Sequence, residues 1–404
     1  MITIAVTGGI GSGKSTVSRM LREHGAVVAD SDQLAREVVA PGSPGLAAID
    51  ATFGPSMLTA EGALDRAALA ALVFADPAAR KRLEGITHPL VRERFDEIRR
   101  SAPDDAIVVN DIPLLTTLAG AATFHLVVGV RADAELRLRR LVERGLAEYD
   151  ARARIATQLT DEQRAPLCDV MLVNHGERAE LADEVDALWV DRLVPFERNV
   201  RAGTRAPRGA PALVEPRFEW TADARRIATR ISVAVGGARV DHIGSTAIPG
   251  MPAKDVLDLQ LTVADLGQAD DWATRLAAAG FPRPAGDWWD NPHPGDADPA
   301  RWHKRVHVNA DPGQSINLHV RVRDWPNWRF ALLFRDWMTA DQQAFAEYRT
   351  LKRSMAARFA DDPDAARYAE AKEPWLAQAS ARAERWAAAT GWRPAETGTV
   401  GPSA

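Results

Sequence analysis

Residues 2–7, ITIAVT, form an apolar run that passes directly into Gly8-Gly9-Ile10-Gly11-Ser12-Gly13-Lys14-Ser15. A G-x-x-x-x-G-K-[ST] spacing between a strand and a helix restricts the fold more than any other feature of this chain. Glycines let the backbone wrap phosphates with its N–H groups turned inward, and the helix amino terminus adds partial positive charge. Gly8 to Ser15 thus form a candidate cradle for nucleotide phosphates. Lys14 would reach the β- and γ-phosphates, and the Ser15 hydroxyl would complete the coordination of Mg²⁺. The competing reading is a glycine-rich turn carrying a solvent-exposed lysine.

Strands and helices keep alternating downstream of this turn. Apolar runs at 26–29, 106–110, 124–130 and 169–173 have the length of buried parallel strands. Helical patterns at about 14–24, 64–75, 78–85, 89–101, 133–144, 150–158 and 177–193 lie between and beyond them. This alternation predicts an α/β fold with a covered parallel sheet. Asp32 comes just after the second strand, at the carboxyl edge where such sheets bind ligands. A carboxylate there can take the proton of a hydroxyl nucleophile while a phosphoryl group is transferred. Alternatively, Asp30 or Asp32 caps a helix starting near Gln33. Arginines at 137, 139, 140, 144, 152 and 154 suit a lid over a charged transition state, or else a solvated helix surface.

The chain has 404 residues, enough for two or three domains. Residues 199–212, NVRAGTRAPRGAPA, have linker composition. Residues 1–198 carry 23 basic and 30 acidic side chains, and the remainder carries 27 and 25, which restores the net charge of −5. Trp189 stands alone before the linker, while the other eleven tryptophans come after it. The acidic balance argues against a generally nucleic-acid-binding protein. One cysteine allows no intrachain disulfide, and no apolar run approaches a membrane span. With no signal-peptide pattern at the start, the expectation is a soluble protein of a reducing compartment, hence cytoplasmic. Homo-oligomerisation is left open. Basic charge is 44 Arg against 6 Lys, a bias that makes each lysine more informative. Lys14 and Lys254 lie in the strongest motifs.

The second half opens with an amphipathic helix at about 219–235, followed by VDHIGSTAIPGMPAKDVLDLQLTV at 240–263. Strands near 242–244 and 256–263 flank a Gly/Pro-rich turn. Gly244 and Ser245 could hold a triphosphate, and Asp258 could hold Mg²⁺, as nucleotidyl transfer requires. That chemistry wants a second carboxylate two residues on, where Gln260 stands. Asp255 falls on the opposite face of the strand. His242, His303, His307 and His319 could ligate a metal, with His307 and His319 facing one another. Alternatively they line an unused or phosphate-binding cleft. Trp375 and Trp386 look like packing anchors.

The first half resembles the dephospho-CoA kinase family, through VTGGIGSGKSTV at 6–17, VADSDQLAREVVAPGSPGL at 28–46 and THPLV at 87–91. DIPLL at 111–115, ELRLRRLVERG at 135–145 and ARARIATQ at 151–158 extend the match. The resemblance implies a P-loop kinase sheet with a helical substrate subdomain and a lid. It implies ATP-dependent phosphorylation of the 3'-hydroxyl of dephospho-CoA, with Asp32 as general base and Gly11, Ser12, Gly13, Lys14, Ser15 and Thr16 as the cradle of the ATP phosphates. It also places His88, Pro89 and Arg92 in the acceptor subdomain, Arg140, Arg144 and Arg154 on the lid, and Asn174 near adenine. Thr116-Thr117 stand where the family commonly carries a small or apolar residue and then Glu. Residues 213–395 resemble the GrpB family, with its α+β nucleotidyltransferase-like fold. GSTAIPG at 244–250, Lys254, Asp258, WHKRVHV at 302–308, INLHVRV at 316–322, LLFRDWM at 332–338 and EYRTLK at 347–352 carry that match. A structural or regulatory second domain, with a flexible tail at 396–404, completes the expectation. The fusion resembles actinobacterial members of the kinase family.

Overall fold

The computed structural model describes residues 1–399 apart from 209–211, 294–297, 360–366 and 368–369. It divides into two compact units. The first comprises Met1–Thr116 and Leu126–Trp189, and the second Thr117–His125 and Val190–Ala404.

The first unit is built on five parallel strands in the order β2-β3-β1-β4-β5. They are β1 (Ile2–Gly8), β2 (Val27–Asp30), β3 (Ile107–Asp111), β4 (Leu126–Arg131) and β5 (Val170–Val173). β1 is buried along its whole length, and its mostly apolar sequence, broken only by Thr3 and Thr7, suits a strand covered on both faces. The connection out of β1 is the glycine-rich turn, and helix Lys14–Glu23 begins at once. The two helices expected at 78–85 and 89–101 are one, Pro77–Ser101, with Pro89 inside it. Pro89 removes one N–H and presses on the carbonyl four residues back. That residue is the exposed Gly85, which adds no Cβ to the crowding.

The closing helix does not stop at 193. Arg178–Ala187 continues through a wide π-helical stretch, Leu188–Leu193, into helix Val194–Ala202. The passage into the second unit therefore lies inside a helical run, ahead of the Gly/Pro-rich stretch at 199–212. Linker composition is overridden by anchoring within the second unit. Asn199 Nδ2 donates to Ala310 O at 2.9 Å, and Arg192 pairs with Asp311 at 2.8 Å. Residues 209–211 of the expected linker lie outside the described residues.

In the second unit, β7 (Val240–Ile243), β9 (Leu257–Val263), β10 (Trp288–Trp289), β11 (His303–Val308) and β12 (Ile316–Val322) form a mixed sheet in the order β10-β11-β12-β9-β7. β6 (Leu213–Val214) pairs separately with β8 (Ala253–Lys254). Helix Glu219–Ala234 buries Trp220, Ile227 and Ile231 with Leu257, Leu259 and Leu261 of β9. A second cluster joins Trp337, Met338 and Tyr348 with Trp375 and Trp386, the anticipated anchors. Thr117–His125 packs with this unit: its short helix Leu118–Ala121 meets helix Glu219–Ala234, and His125 Nε2 hydrogen-bonds Ala278 O at 2.7 Å. Glu396 and Thr399, expected in a flexible tail, are held at β7. Arg239, the residue before β7, donates to Glu396 O at 3.4 Å, and His242 N within it donates to Thr399 Oγ1 at 2.9 Å. The rest of that tail, 400–404, lies outside the described residues.

Candidate active site

The phosphate loop is shaped by what takes its carbonyls. Arg137 Nε donates to Ile10 O at 2.9 Å, Arg140 to Gly11 O at 3.3 Å, and Asn174 Nδ2 to Ser12 O at 2.8 Å. Arg140 also donates to Asn174 Oδ1 at 3.0 Å, joining these two supports. With the carbonyls held outward, the N–H groups are released. Among the described residues, the amides of Gly11, Gly13, Lys14 and Ser15 donate to no other group. That is a set of donors prepared for an anion at a helix amino terminus. The glycines are required sterically. Gly11 and Gly13 have φ of 79° and 99°, and a Cβ on Gly11 would lie 2.9 Å from Arg137 O. A Cβ on Gly13 would collide with the Asn174 amide.

Lys14 is ion-paired with Asp111 at the end of β3, and Ser18 Oγ donates to the other oxygen of that carboxylate at 2.9 Å. Burial lowers the Lys14 pKa, against the opposing fields of Asp32 and Asp30. These two acidic neighbours have different surroundings. Asp30 is the helix cap, its Oδ1 accepting from Asp32 N at 2.9 Å and Gln33 N at 3.2 Å. The Asp32 side chain is exposed and makes no hydrogen bond among the described residues. The helix starts at Ser31, two positions earlier than expected, so the cap falls to Asp30 alone.

Thus the structure brings together Gly11, Ser12, Gly13, Lys14, Ser15, Thr16, Asp32, Arg140 and Asn174. Arg144 and Arg139 act electrostatically on Arg140, whose pKa falls first through burial and then through their repulsion. Arg154 is exposed on helix Glu148–Ala156. His88 and Arg92 lie one turn apart on helix Pro77–Ser101, and Arg92 lines a shallow hollow with Pro89, Arg99 and Arg100. Thr117 caps helix Leu118–Ala121, accepting from Gly120 N at 3.1 Å. Sequence reasoning passed over Asp111, and it gave Arg137 no role apart from the arginine cluster. Asp111 is signalled by an acidic residue closing the apolar run AIVVN. Arg137, only 5% exposed, shares a helix face with Arg140 at i+3.

In the second unit Gly244 abuts Asp258, whose carboxylate lies where a Cβ on Gly244 would go. Asn317 donates to Asp258 at 2.9 Å, and His319 lies 3.7 Å from it. Gln260 is buried, accepting from Arg321 at 2.7 Å and donating to Trp328 O at 3.2 Å. Asp255 is held by Arg217 at 2.7 Å and Trp220 Nε1 at 2.8 Å. Neither supplies a second carboxylate beside Asp258. The expectation that His307 and His319 face one another fails on register. Val306 pairs with His319, so the adjacent His307 points to the other face of the sheet. His307 hydrogen-bonds Phe281 O at 2.8 Å and His242 bonds Thr246 Oγ1 at 2.9 Å. Among the described residues no three His, Cys, Asp or Glu side chains gather as a metal site.

Comparison with known proteins settles the family. A protein from Mycolicibacterium paratuberculosis named dephospho-CoA kinase is 51% identical over 98% of this chain and 100% of its own length. The chain belongs to the dephospho-CoA kinase family. Residues 2–180 match the dephospho-CoA kinase family and residues 210–382 the GrpB protein family. A Mycobacterium tuberculosis dephospho-CoA kinase is 48% identical over 98% of this chain and all of its own. One from Frankia casuarinae is 49% identical over 48% of this chain and 84% of itself. Most of that relative thus corresponds to about half of this two-unit chain. No helix among the described residues is long and apolar enough to cross a membrane.

Proposed function

We propose that this member of the dephospho-CoA kinase family transfers the γ-phosphoryl group of ATP to the 3'-hydroxyl of dephospho-CoA, giving CoA and ADP, in the cytoplasm. The observation that carries this reading is Asp32: an exposed carboxylate with no hydrogen-bond partner among the described residues, within electrostatic reach of Lys14 at the mouth of the phosphate loop. Asp32 accepts the proton of the 3'-hydroxyl as that oxygen bonds to the γ-phosphorus and the bond to the β-γ bridging oxygen breaks. Lys14, freed from Asp111 by the arriving phosphates, and Arg140 balance the charge that spreads over the equatorial oxygens. The free loop amides hold the remaining phosphate oxygens. Asn174 keeps the loop in shape and borders the adenine side. Arg144 and Arg154 close over the phosphates, and His88 and Arg92 receive the CoA portion of the acceptor. Ser15 and Asp111 are oxygen donors of the kind Mg²⁺ takes. When bound, that ion neutralises phosphate charge.

The GrpB-like unit serves the kinase structurally or as a regulator. Gln260, locked by Arg321 and Trp328, leaves Asp258 without the companion carboxylate that two-metal nucleotidyl transfer needs. The test is ADP release by the full chain with Mg²⁺–ATP, comparing dephospho-CoA with adenosine, AMP and no acceptor. Turnover with dephospho-CoA alone supports the assignment; turnover with AMP, or without acceptor, refutes it.

A further inference from the structure

The arginine-bearing stretch at 199–212 does more than connect. Ala206 is 1% exposed, and its N–H donates to Asn309 O at 3.0 Å. Arg205 and Arg208 flank that anchor, so two guanidiniums are carried to the edge of the second unit's sheet. There the ladder pairs Trp288 with Lys304, Val306 with His319 and Val308 with Asn317. Strand residues alternate between faces, so these six side chains share one face of the sheet. Together with the 203–208 segment and residues 282–285 they bound a cleft of about 660 Å³, all of it within the second unit.

The cleft is lined by charge of one sign. Arg205, Arg208, Arg283 and Lys304 line it, and among the described lining residues there is no Asp or Glu. Composition does not explain this, because residues 199–404 carry 27 basic and 25 acidic side chains. Nor do carboxylates behind the lining neutralise it. Lys304 shares Asp290 with Arg321, at 2.5 and 2.9 Å, and Arg283 shares Asp270 with Arg305, at 2.6 and 2.8 Å. Arg208 donates only to uncharged oxygens, Asn317 Oδ1 at 2.9 Å and Ile316 O. Asn317 stands between it and Asp258, to which Asn317 donates at 2.9 Å. Arg205 is exposed and makes no hydrogen bond or ion pair among the described residues. Burial lowers the Arg208 pKa, and repulsion from Arg205 adds to it against the weaker pull of Asp258. A concave lining of like charge attracts the opposite charge from solution.

We propose that this cleft binds a small aromatic dianion, an aryl phosphate or an aromatic dicarboxylate, with its charges at Arg205 and Arg208 and its ring against Trp288. Two cations lacking a carboxylate call for two negative charges. Val306, Val308 and the partly exposed Trp288 supply apolar surface that a bare inorganic ion would leave unused. The volume is that of a small-molecule pocket, roughly 300–1,000 Å³. Neither Gly244, Ser245 nor Asp258 is among the described lining residues, so this site is distinct from the motif that suggested nucleotidyl transfer.

The test is calorimetric titration of the full chain with phenyl phosphate, with phthalate and with inorganic phosphate, in wild type, Arg205→Ala and Trp288→Ala. The phosphate loop is the same in all three proteins, so differences between them report the cleft. At least one aromatic dianion should bind wild type about tenfold more tightly than inorganic phosphate, and the preferred one tells phosphate ester from dicarboxylate. Arg205→Ala should weaken it about tenfold, the worth of one charge-assisted hydrogen bond, with Tm unchanged because that side chain holds nothing else. Trp288→Ala should weaken the aromatic dianion and leave inorganic phosphate as it was. Should Trp288→Ala fail to fold, Trp288→Leu takes its place, with the same loss of preference expected. Aromatic dianions that bind wild type no better than inorganic phosphate overturn the proposal, as does wild-type affinity retained in Arg205→Ala or in the folded Trp288 variant.

Discussion

Asp30 and Asp32 are two residues apart and both act on Lys14, yet the structure gives them separable duties. Replacing Asp30 with Ala removes a cap that accepts from two amides, at 2.9 and 3.2 Å. Losing such a cap costs about 1 kcal/mol, which for a domain of this size lowers Tm by roughly 2–4 °C. Asp30→Asn keeps the acceptor oxygen and should recover most of that loss. Replacing Asp32 with Asn removes no hydrogen bond that the fold uses, so Tm should stay within about 1 °C, since a surface change of this kind is worth less than about 0.5 kcal/mol. Its effect belongs in turnover. A general base contributes roughly 10²- to 10⁴-fold, or about 3–5 kcal/mol of barrier. KM for ATP should move little, because the loop amides and Lys14 are untouched. The assay is coupled ADP release at saturating dephospho-CoA, run beside thermal melts of the same preparations. The reasoning fails if Asp32→Asn turns over within threefold of wild type. It fails equally if Asp30→Ala loses as much kcat as Asp32→Asn while keeping its Tm.

The geometry sets three further outcomes. Asn174→Ala removes the support of the Ser12 carbonyl and the Arg140 tether, so KM for ATP should rise about tenfold, at roughly 1–1.5 kcal/mol, with a smaller change in kcat; steady-state kinetics checks this. Asp111→Asn strips the half-buried Lys14 of its ion pair, and Tm should fall by several degrees, recovering in part on addition of Mg²⁺–ATP, whose phosphates replace the lost counter-charge. In the second unit, burial holds His242, His307 and His319 at pKa values of about 4, against 6.5 in the unfolded chain. Between pH 6.5 and 4 the unfolded state binds more protons, so stability falls as pH is lowered through that window, by up to roughly 2 kcal/mol per buried histidine at pH 5. Tryptophan fluorescence melts at pH 7 and pH 5 should show it, since eleven of twelve tryptophans lie beyond residue 198; equal Tm values at both pH values would refute it.

What the sequence disclosed of the first unit was whatever periodicity and local chemistry encode. Runs such as AIVVN and FHLVVGV have the length and composition of buried parallel strands, and the loop glycines announce their own backbone angles. Which carboxylate caps and which stays free was not legible, because the choice depends on the helix starting at Ser31 and not at Gln33. Arg137 and Arg140 were indistinguishable from a solvated arginine surface until the chain closed. Their value comes from carbonyls about 130 residues away, which no local pattern reports. The boundary between units was misleading for a similar reason. Gly and Pro at 203–211 mark a stretch unable to continue a helix, but Asn199 and Arg192 already make contacts that belong to the second unit. Composition describes a segment's freedom in isolation, and two long-range hydrogen-bonded anchors outweigh it.

In the second half the informative signal was a residue type used against the bias of the chain. Arginine at position 352 would have matched the surrounding composition and retained the charge. The helix carries lysine there, one turn from Tyr348, with no carboxylate among the described residues to pair it. A permanently charged guanidinium in that setting would have to be desolvated whether or not an anion was present. An ammonium whose pKa is near 7 avoids that penalty by half-deprotonating at neutral pH.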